Sequence, residues 1–289
     1  MRFLCVVICF FCFSKMASAN ESLANTLQWA INDAPPFHII DGPYQGLGLC
    51  DGLMDAVHRA LPDKQRSVWL MPQARISSLL KQQSELCFPC MIYHGRHDER
   101  AYFSLPTHVY YPYQLITTKA KAAQIQLRYG NPLAFAALLA DKHYRLGYPA
   151  GRRYSILQPL LDKTPPFLAR TGSGGAIAIL QMIVADRLDY TMDYPIIANY
   201  FHKVFDSELT LTPLQENDQT HMPGAIGCAK TAWGQAVLAE INAVMPQIRQ
   251  DPAFLKVLEL WAGQDPAAYL EFNKLHLANP AYNASPLQP

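Results

Sequence analysis

The sequence predicts an α/β fold with mostly parallel central sheets flanked by helices. Two observations carry this. Short apolar runs alternate with amphipathic stretches of about ten residues, the pattern of strands joined by helices. The chain has 289 residues, half of them apolar and 16% charged, which suits one large globular unit or two modest ones.

The elements follow in order. Leu27–Ile31 (LQWAI) reads as a buried strand that Pro35 and Pro36 stop, presenting Phe37. CDGLMDAVHRALP reads as a helix with Asp51 as cap and Leu53, Met54, Val57, Ala60 and Leu61 on one face. RSVWLMP is a second strand. PQARISSLLKQQS is a second helix, with Pro72 at its start and Ile76, Leu79 and Leu80 inward. ELCF is a third strand and QLITT another. NPLAFAALLA reads as a helix with Asn131 as cap and Pro132 in its first turn. GYPAGRRYSILQPLL gives strand, glycine turn and helix. TGSGGAIAILQMIVADRLDYTMDYPIIANYF gives glycine turn, helix, strand and a short helix. GAIGCAK is a late strand, and TAWGQAVLAEINAVMPQI and DPAFLKVLELWAG are closing helices. The Pro- and Asn-rich tail from Asn279 is expected to be loose.

The first residues read as a secretory signal. Arg2 precedes an unbroken apolar run from Phe3 to Phe13, too short to span a bilayer, and Ala17-Ser18-Ala19 is a small-x-small cleavage site. A mature chain from Asn20, exported to the periplasm, is expected. Losing Arg2 and Lys15 takes the basic residues from 24 to 22 against 23 acidic ones, so the net charge moves from +1 to −1. No basic run marks a nucleic-acid partner. Cys5, Cys9 and Cys12 leave with the signal, and Cys50, Cys87, Cys90 and Cys228 remain. An even count in an oxidising compartment favours disulfides over zinc or free thiols, and four cysteines allow three connectivities. Cys87 and Cys90 form a C-x-x-C, but the residues after it carry no helical stripe. A thioredoxin-type site needs a helix N-terminus there. In an extended segment residues three apart point to opposite faces, so direct Cys87–Cys90 closure is disfavoured.

The segments DAPPF, GLGLCDGL, ERAYFSLP, GYPAGRRY, ADRLDYTMDY and AIGCAK stand in an order that resembles the periplasmic solute-binding proteins of the extracellular family 3 type, across nearly the whole mature chain. The resemblance implies a two-lobed type 2 periplasmic-binding fold with two crossovers and a ligand in the cleft. Mapped here, lobe one is 20–113 plus 222–289 and lobe two is 114–221. It also sets the third strand beside the returning strand, which implies Cys87 paired with Cys228 and leaves Cys50 for Cys90.

The same resemblance implies site residues. The family places an arginine for a ligand carboxylate six residues before the phenylalanine of F-S-x-P, a role that suits a forked guanidinium. Here His97 holds that position. Arg96 lies seven before Phe103 and Arg100 three before it, so Arg96 is the first choice and Arg100 the second. The family's strand-end aspartate, which receives a ligand ammonium, maps to Asp193. Arg152, Tyr154 and Ser173 lie in the glycine turns before two helices, where free amides favour anions. Phe37, Tyr93, Tyr110 and Tyr111 are candidate aromatic walls, and Arg75 falls in the first turn of the second helix.

The implied function is binding of a small polar, amino-acid-like solute by a monomer, without metal or cofactor, for a membrane permease or a sensor. The alternative is an enzyme on the same scaffold, such as a dehydratase of a small cyclic acid, using Glu99, His97 and Asp193 for acid–base work. Ser173 lacks the spacing of a nucleophile elbow.

Overall fold

The computed structural model describes residues 25–93 and 99–283. Residues 1–19, expected to be an export signal, and Arg96 and His97 lie outside them. Two sheet systems divide the chain. The larger holds β1 (Thr26–Ile31), β2 (Gln65–Leu70), β3 (Cys87–Ile92), β4 (Tyr102–Phe103), β5 (His108–Tyr110) and β11 (Met222–Cys228), in the order β2-β1-β3-β11-β4 with β5 also on β11. The smaller has β6 (Gln114–Thr117) between β10 (Thr210–Pro213) and β9 (Thr191–Asp193), with β7 (Gly147–Pro149) and β8 (Leu168–Arg170) beside it. The chain passes from one system to the other between β5 and β6 and returns between β10 and β11.

Parallel pairing joins β1 to β2 and β3, and β7 to β8. The crossover strands β6 and β11 run antiparallel to every named strand they pair with. The sheets are therefore mixed. The expectation of mostly parallel sheets holds for strands linked by helices and not for the two that carry the chain between layers.

β1 shows how the core is shared. Leu27 and Trp29 are buried on one face under α1 (Leu49–Ala60) and α10 (Pro252–Trp261), while Ala30 faces Ile76 and Leu80 of α2 (Gln73–Lys81) on the other. Leu79 is only half-buried there. In α1 the cap is Gly48, not Asp51. Asp51 lies three residues further on, and its carboxylate accepts the Gly48 and Ile39 amides, each at 3.0 Å, and pairs with His38 Nδ1 at 2.7 Å. It satisfies the open helix end from inside the first turn.

Three further expectations are corrected. A helix α3 (Lys119–Tyr129), capped by Thr118, follows β6 unannounced; only Ala122 and Ile125 of it are buried. The helix expected at Asn131 begins at Phe135 (α4, Phe135–Ala140). Leu133 is drawn into a bridge with Leu214, and the Glu216 carboxylate caps the Phe135 and Ala136 amides in place of Asn131. The tail is docked as far as Asn283. After α11 (Pro266–Leu277), a 3-10 turn at Pro280–Tyr282 is held by Arg249, which donates to the Tyr282 carbonyl and to Asn283, and by His221 against the Tyr282 hydroxyl.

The smaller system is completed by α5 (Gln158–Lys163), α6 (Gly175–Val184) and α7 (Pro195–Phe205), and the larger by α8 (Ala232–Ala243) and α9 (Met245–Arg249). In α8 Gly234 sits where a Cβ would run into the Ala229 backbone carbonyl. Gly234→Ala is expected to destabilise by about 1–3 kcal/mol, seen as a lower urea midpoint, because backbone rather than a movable side chain blocks the methyl. Among the described residues no helix is long and apolar enough to cross a membrane.

Cys87 is bonded to Cys228 and Cys50 to Cys90. This is the connectivity the resemblance implies. The cysteines of the C-x-x-C thus have different partners, joining β3 to β11 and to the start of α1. Both sulfurs are engaged, and neither is a free thiolate for redox or zinc chemistry.

Candidate functional site

The two sheet systems meet at a column of tyrosines. Tyr110 ends β5, Tyr113 lies in the first crossover, Tyr194 follows β9, and Tyr154 sits in the turn before α5. Ring centroids are 4.9 Å apart for Tyr110–Tyr194, 4.3 Å for Tyr194–Tyr113 and 5.3 Å for Tyr113–Tyr154. The Tyr194 hydroxyl donates to that of Tyr113 at 2.6 Å. Phe37, half-buried, presents its edge to both Tyr110 (5.8 Å) and Tyr194 (6.4 Å), so the DAPPF turn reaches across from the larger system.

Within the column lies an ion pair. Arg152 Nη1 donates to Asp193 Oδ2 at 2.5 Å, and the second carboxylate oxygen accepts the Tyr194 amide at 2.8 Å. The Asp193 side chain is 2% exposed and that of Arg152 20%. The guanidinium carbon lies 5.4 Å from the Tyr194 ring centre and 6.0 Å from that of Tyr154, within cation–π range. Burial pushes the Asp193 carboxyl up to about 6, with Arg152 and the Tyr194 amide pulling it back. Burial also works against the Arg152 charge, but Asp193 and the surrounding tyrosines outweigh it, and the guanidinium is held above the usual arginine value. The Tyr154 hydroxyl is buried and makes no hydrogen bond among the described residues. Burial holds it well above the ordinary phenol range.

The systems touch elsewhere along this seam. The Gly174 amide donates to the Asp33 carbonyl at 3.3 Å, Asn199 Nδ2 donates to the Trp261 carbonyl at 3.1 Å, and Tyr200 packs on Trp261 at 5.1 Å. A cavity between them, lined by Tyr110, Tyr111, Tyr194, Asn199 and Trp261, has a volume of about 10 Å³. That admits about one water and no amino acid at this point of the seam.

The structure brings together Phe37, Arg152, Tyr154, Asp193 and Tyr110 from the residues singled out in the sequence. Arg96 lies outside the described residues. Arg75 is exposed on α2. Tyr93 packs against Phe103 and Tyr282, beside the docked tail. Tyr111 packs against Tyr269 and Phe272 of α11 and lines the small cavity at the seam. Arg100 is half-buried after the undescribed stretch, and Ser173 is exposed in the turn whose Gly174 meets Asp33. Ser104, in the F-S-x-P segment, serves the sheet: its amide donates to the Ile226 carbonyl and its hydroxyl accepts the Ile226 amide, pinning β11. Tyr113, Tyr194 and Trp261 were missed. The density of aromatics in YYPYQ at the crossover, and the tyrosine directly after Asp193, were the available signals.

No protein-family model and no curated protein sequence matches the chain. Solved structures do match in fold. A Salmonella typhimurium periplasmic binding protein with high arginine specificity superposes with a TM-score of 0.59 at 16% identity, over 82% of this chain and 99% of that one. An ancestral amino-acid-binding protein, described as a precursor of cyclohexadienyl dehydratase, gives 0.62 at 20% identity over 86% and 99%. A putative L-cystine ABC transporter protein from Listeria monocytogenes gives 0.64 at 14% identity over 85% and 98%. The fold is that of the two-lobed periplasmic binding proteins.

Proposed function

We propose that this chain is an exported solute-binding protein that holds a small polar, amino-acid-like molecule between two lobes and presents it to a membrane transporter or sensor. Residues 1–19 are the export signal, lobe one is 20–113 with 222–289, and lobe two is 114–221. The observation that carries the reading is the site at the seam: a strand-end carboxylate, Asp193, and an arginine, Arg152, beside Tyr154 and Tyr194 of lobe two, with Tyr113, Tyr110 and Phe37 of lobe one packed against those rings. Charged groups among flat rings at a junction of two sheet systems suit recognition of a small polar molecule. Motion at the two crossovers would part the lobes to admit the molecule and close them over it again. The binding proteins with this fold support the reading.

Isothermal titration of the mature chain against amino acids, polyamines and small carboxylates tests it. Saturable binding of one of them, with tryptophan or tyrosine fluorescence changing on closure, is the expected result. No binding across the panel by a folded chain would refute the reading. Of the groups the enzyme reading would use, Glu99 is exposed, His97 lies outside the described residues, and Asp193 is engaged by Arg152.

A further inference from the structure

Asp193 is the carboxylate to which the resemblance assigns a ligand's ammonium, yet it already holds a cation. Arg152 Nη1 is 2.5 Å from it, with its guanidinium lying against the Tyr194 and Tyr154 rings. A carboxylate below and aromatic faces beside a guanidinium is how a free cationic ligand would be held. Here the occupant is a side chain of the same protein, reaching over from the turn after β7. Asp193 is 2% exposed, and its other oxygen is engaged by the Tyr194 amide. A second cation brought to it would have to displace Arg152.

The pair also leaves something to offer. A guanidinium carries five N–H groups. Arg152 spends one N–H on Asp193 and another interacts with the Tyr113 hydroxyl, which leaves the rest of the fork free of those two groups, and a fifth of the side chain remains exposed. The Tyr154 hydroxyl beside it is buried and unpartnered. Unmet donors of this kind, next to a positive fork, call for an acceptor with two oxygens. Phe37 and Tyr110 supply apolar surface beyond them.

We propose that Arg152 determines the specificity of the cleft: it fills the cation subsite at Asp193 from within and directs its free N–H groups, with the Tyr154 hydroxyl, to the carboxylate of a small acid that has no ammonium or guanidinium group. This rests on the solute-binding reading and narrows its ligand class. Arginine, lysine and polyamines are excluded because their cation has no counter-charge to meet. Neutral-bodied carboxylates are accepted when the lobes part.

The test uses the mature chain and its Arg152→Ala variant, with thermal-shift and titration measurements against methylguanidinium, L-arginine, putrescine and a set of aliphatic and aromatic monocarboxylates. Wild type is expected to bind a carboxylate and none of the three cations. Arg152→Ala should lose carboxylate affinity by about thirty-fold or more and gain saturable binding of methylguanidinium in the vacated subsite. Wild type binding L-arginine or putrescine more tightly than any carboxylate would overturn the proposal and leave the solute-binding reading standing. Unchanged carboxylate affinity in the variant would also overturn it. If wild type binds nothing while the variant takes up methylguanidinium, the internal cation is confirmed and the solute-binding reading falls, together with the carboxylate ligand. Should Arg152→Ala not fold, Arg152→Lys keeps the charge and loses the fork. Carboxylate binding weakened in that variant supports the assignment, and carboxylate binding at wild-type strength opposes it.

Discussion

Replacing Cys87 and Cys228 together by alanine is expected to cost the protein about 2–5 kcal/mol of stability. The bond joins residues 141 apart in sequence, across neighbouring strands β3 and β11 where Cys87 and Cys228 are directly opposite. Closing so long a loop removes much of the freedom of the unfolded chain, about 5 kcal/mol on the chain-entropy account, with less realised in practice. Both cysteines are fully buried, so the alanines also leave unfilled space in the core. The Cys50–Cys90 bond spans 40 residues and on the same account contributes about 1 kcal/mol less. Urea unfolding without reductant, for wild type and the two double variants, checks the size and the order. An unchanged midpoint for the Cys87/Cys228 variant would mean that this bond does not form in the protein.

Asp189→Asn is the second large expected loss, about 2–4 kcal/mol at neutral pH. The Asp189 side chain is 4% exposed and lies between two cations, Lys121 Nζ at 2.8 Å and Arg145 Nε at 2.9 Å, while also accepting the Arg145 amide at 2.7 Å. Burial alone would raise its pKa. The hydrogen bonds from Arg145 and Lys121 outweigh that and bring it down to about 2, from the ordinary 3.8. A depressed carboxylate stabilises the folded state above its unfolded pKa, and that contribution is lost as pH falls through the folded value. A shift of this size corresponds to roughly 2 kcal/mol, and stranding two partly buried cations adds the rest. Wild type and Asp189→Asn should therefore differ most above pH 4 and converge toward pH 2 in urea titrations. A difference that stays constant over this range would exclude the carboxylate charge as its source.

Much of the larger sheet system was legible because its helices carry clean apolar stripes; Leu53, Met54 and Val57 of α1 are all buried as their spacing predicts. α3 escaped notice because its stripe is thin and Leu127 points outward, 91% exposed. The start of α4 was misplaced because tertiary pairing of Leu133 with Leu214 overrode the local signal of Asn131 and Pro132. The site divides in the same way. Asp193 and Arg152 were each identifiable from their addresses, a strand end and a glycine turn. That they bind one another was not, since 41 residues separate them and only the packing of β7 and β9 in one layer brings them together. A pairing rule within one helix or hairpin has no reach over that distance.

The Cys87–Cys228 bond has a topological consequence. Everything from β4 through β10, the whole smaller sheet system included, lies inside one covalent ring closed at the base of the larger sheet. A protease nick anywhere within that ring opens it without freeing a fragment, so both halves of the tyrosine column stay tethered to the same sheet.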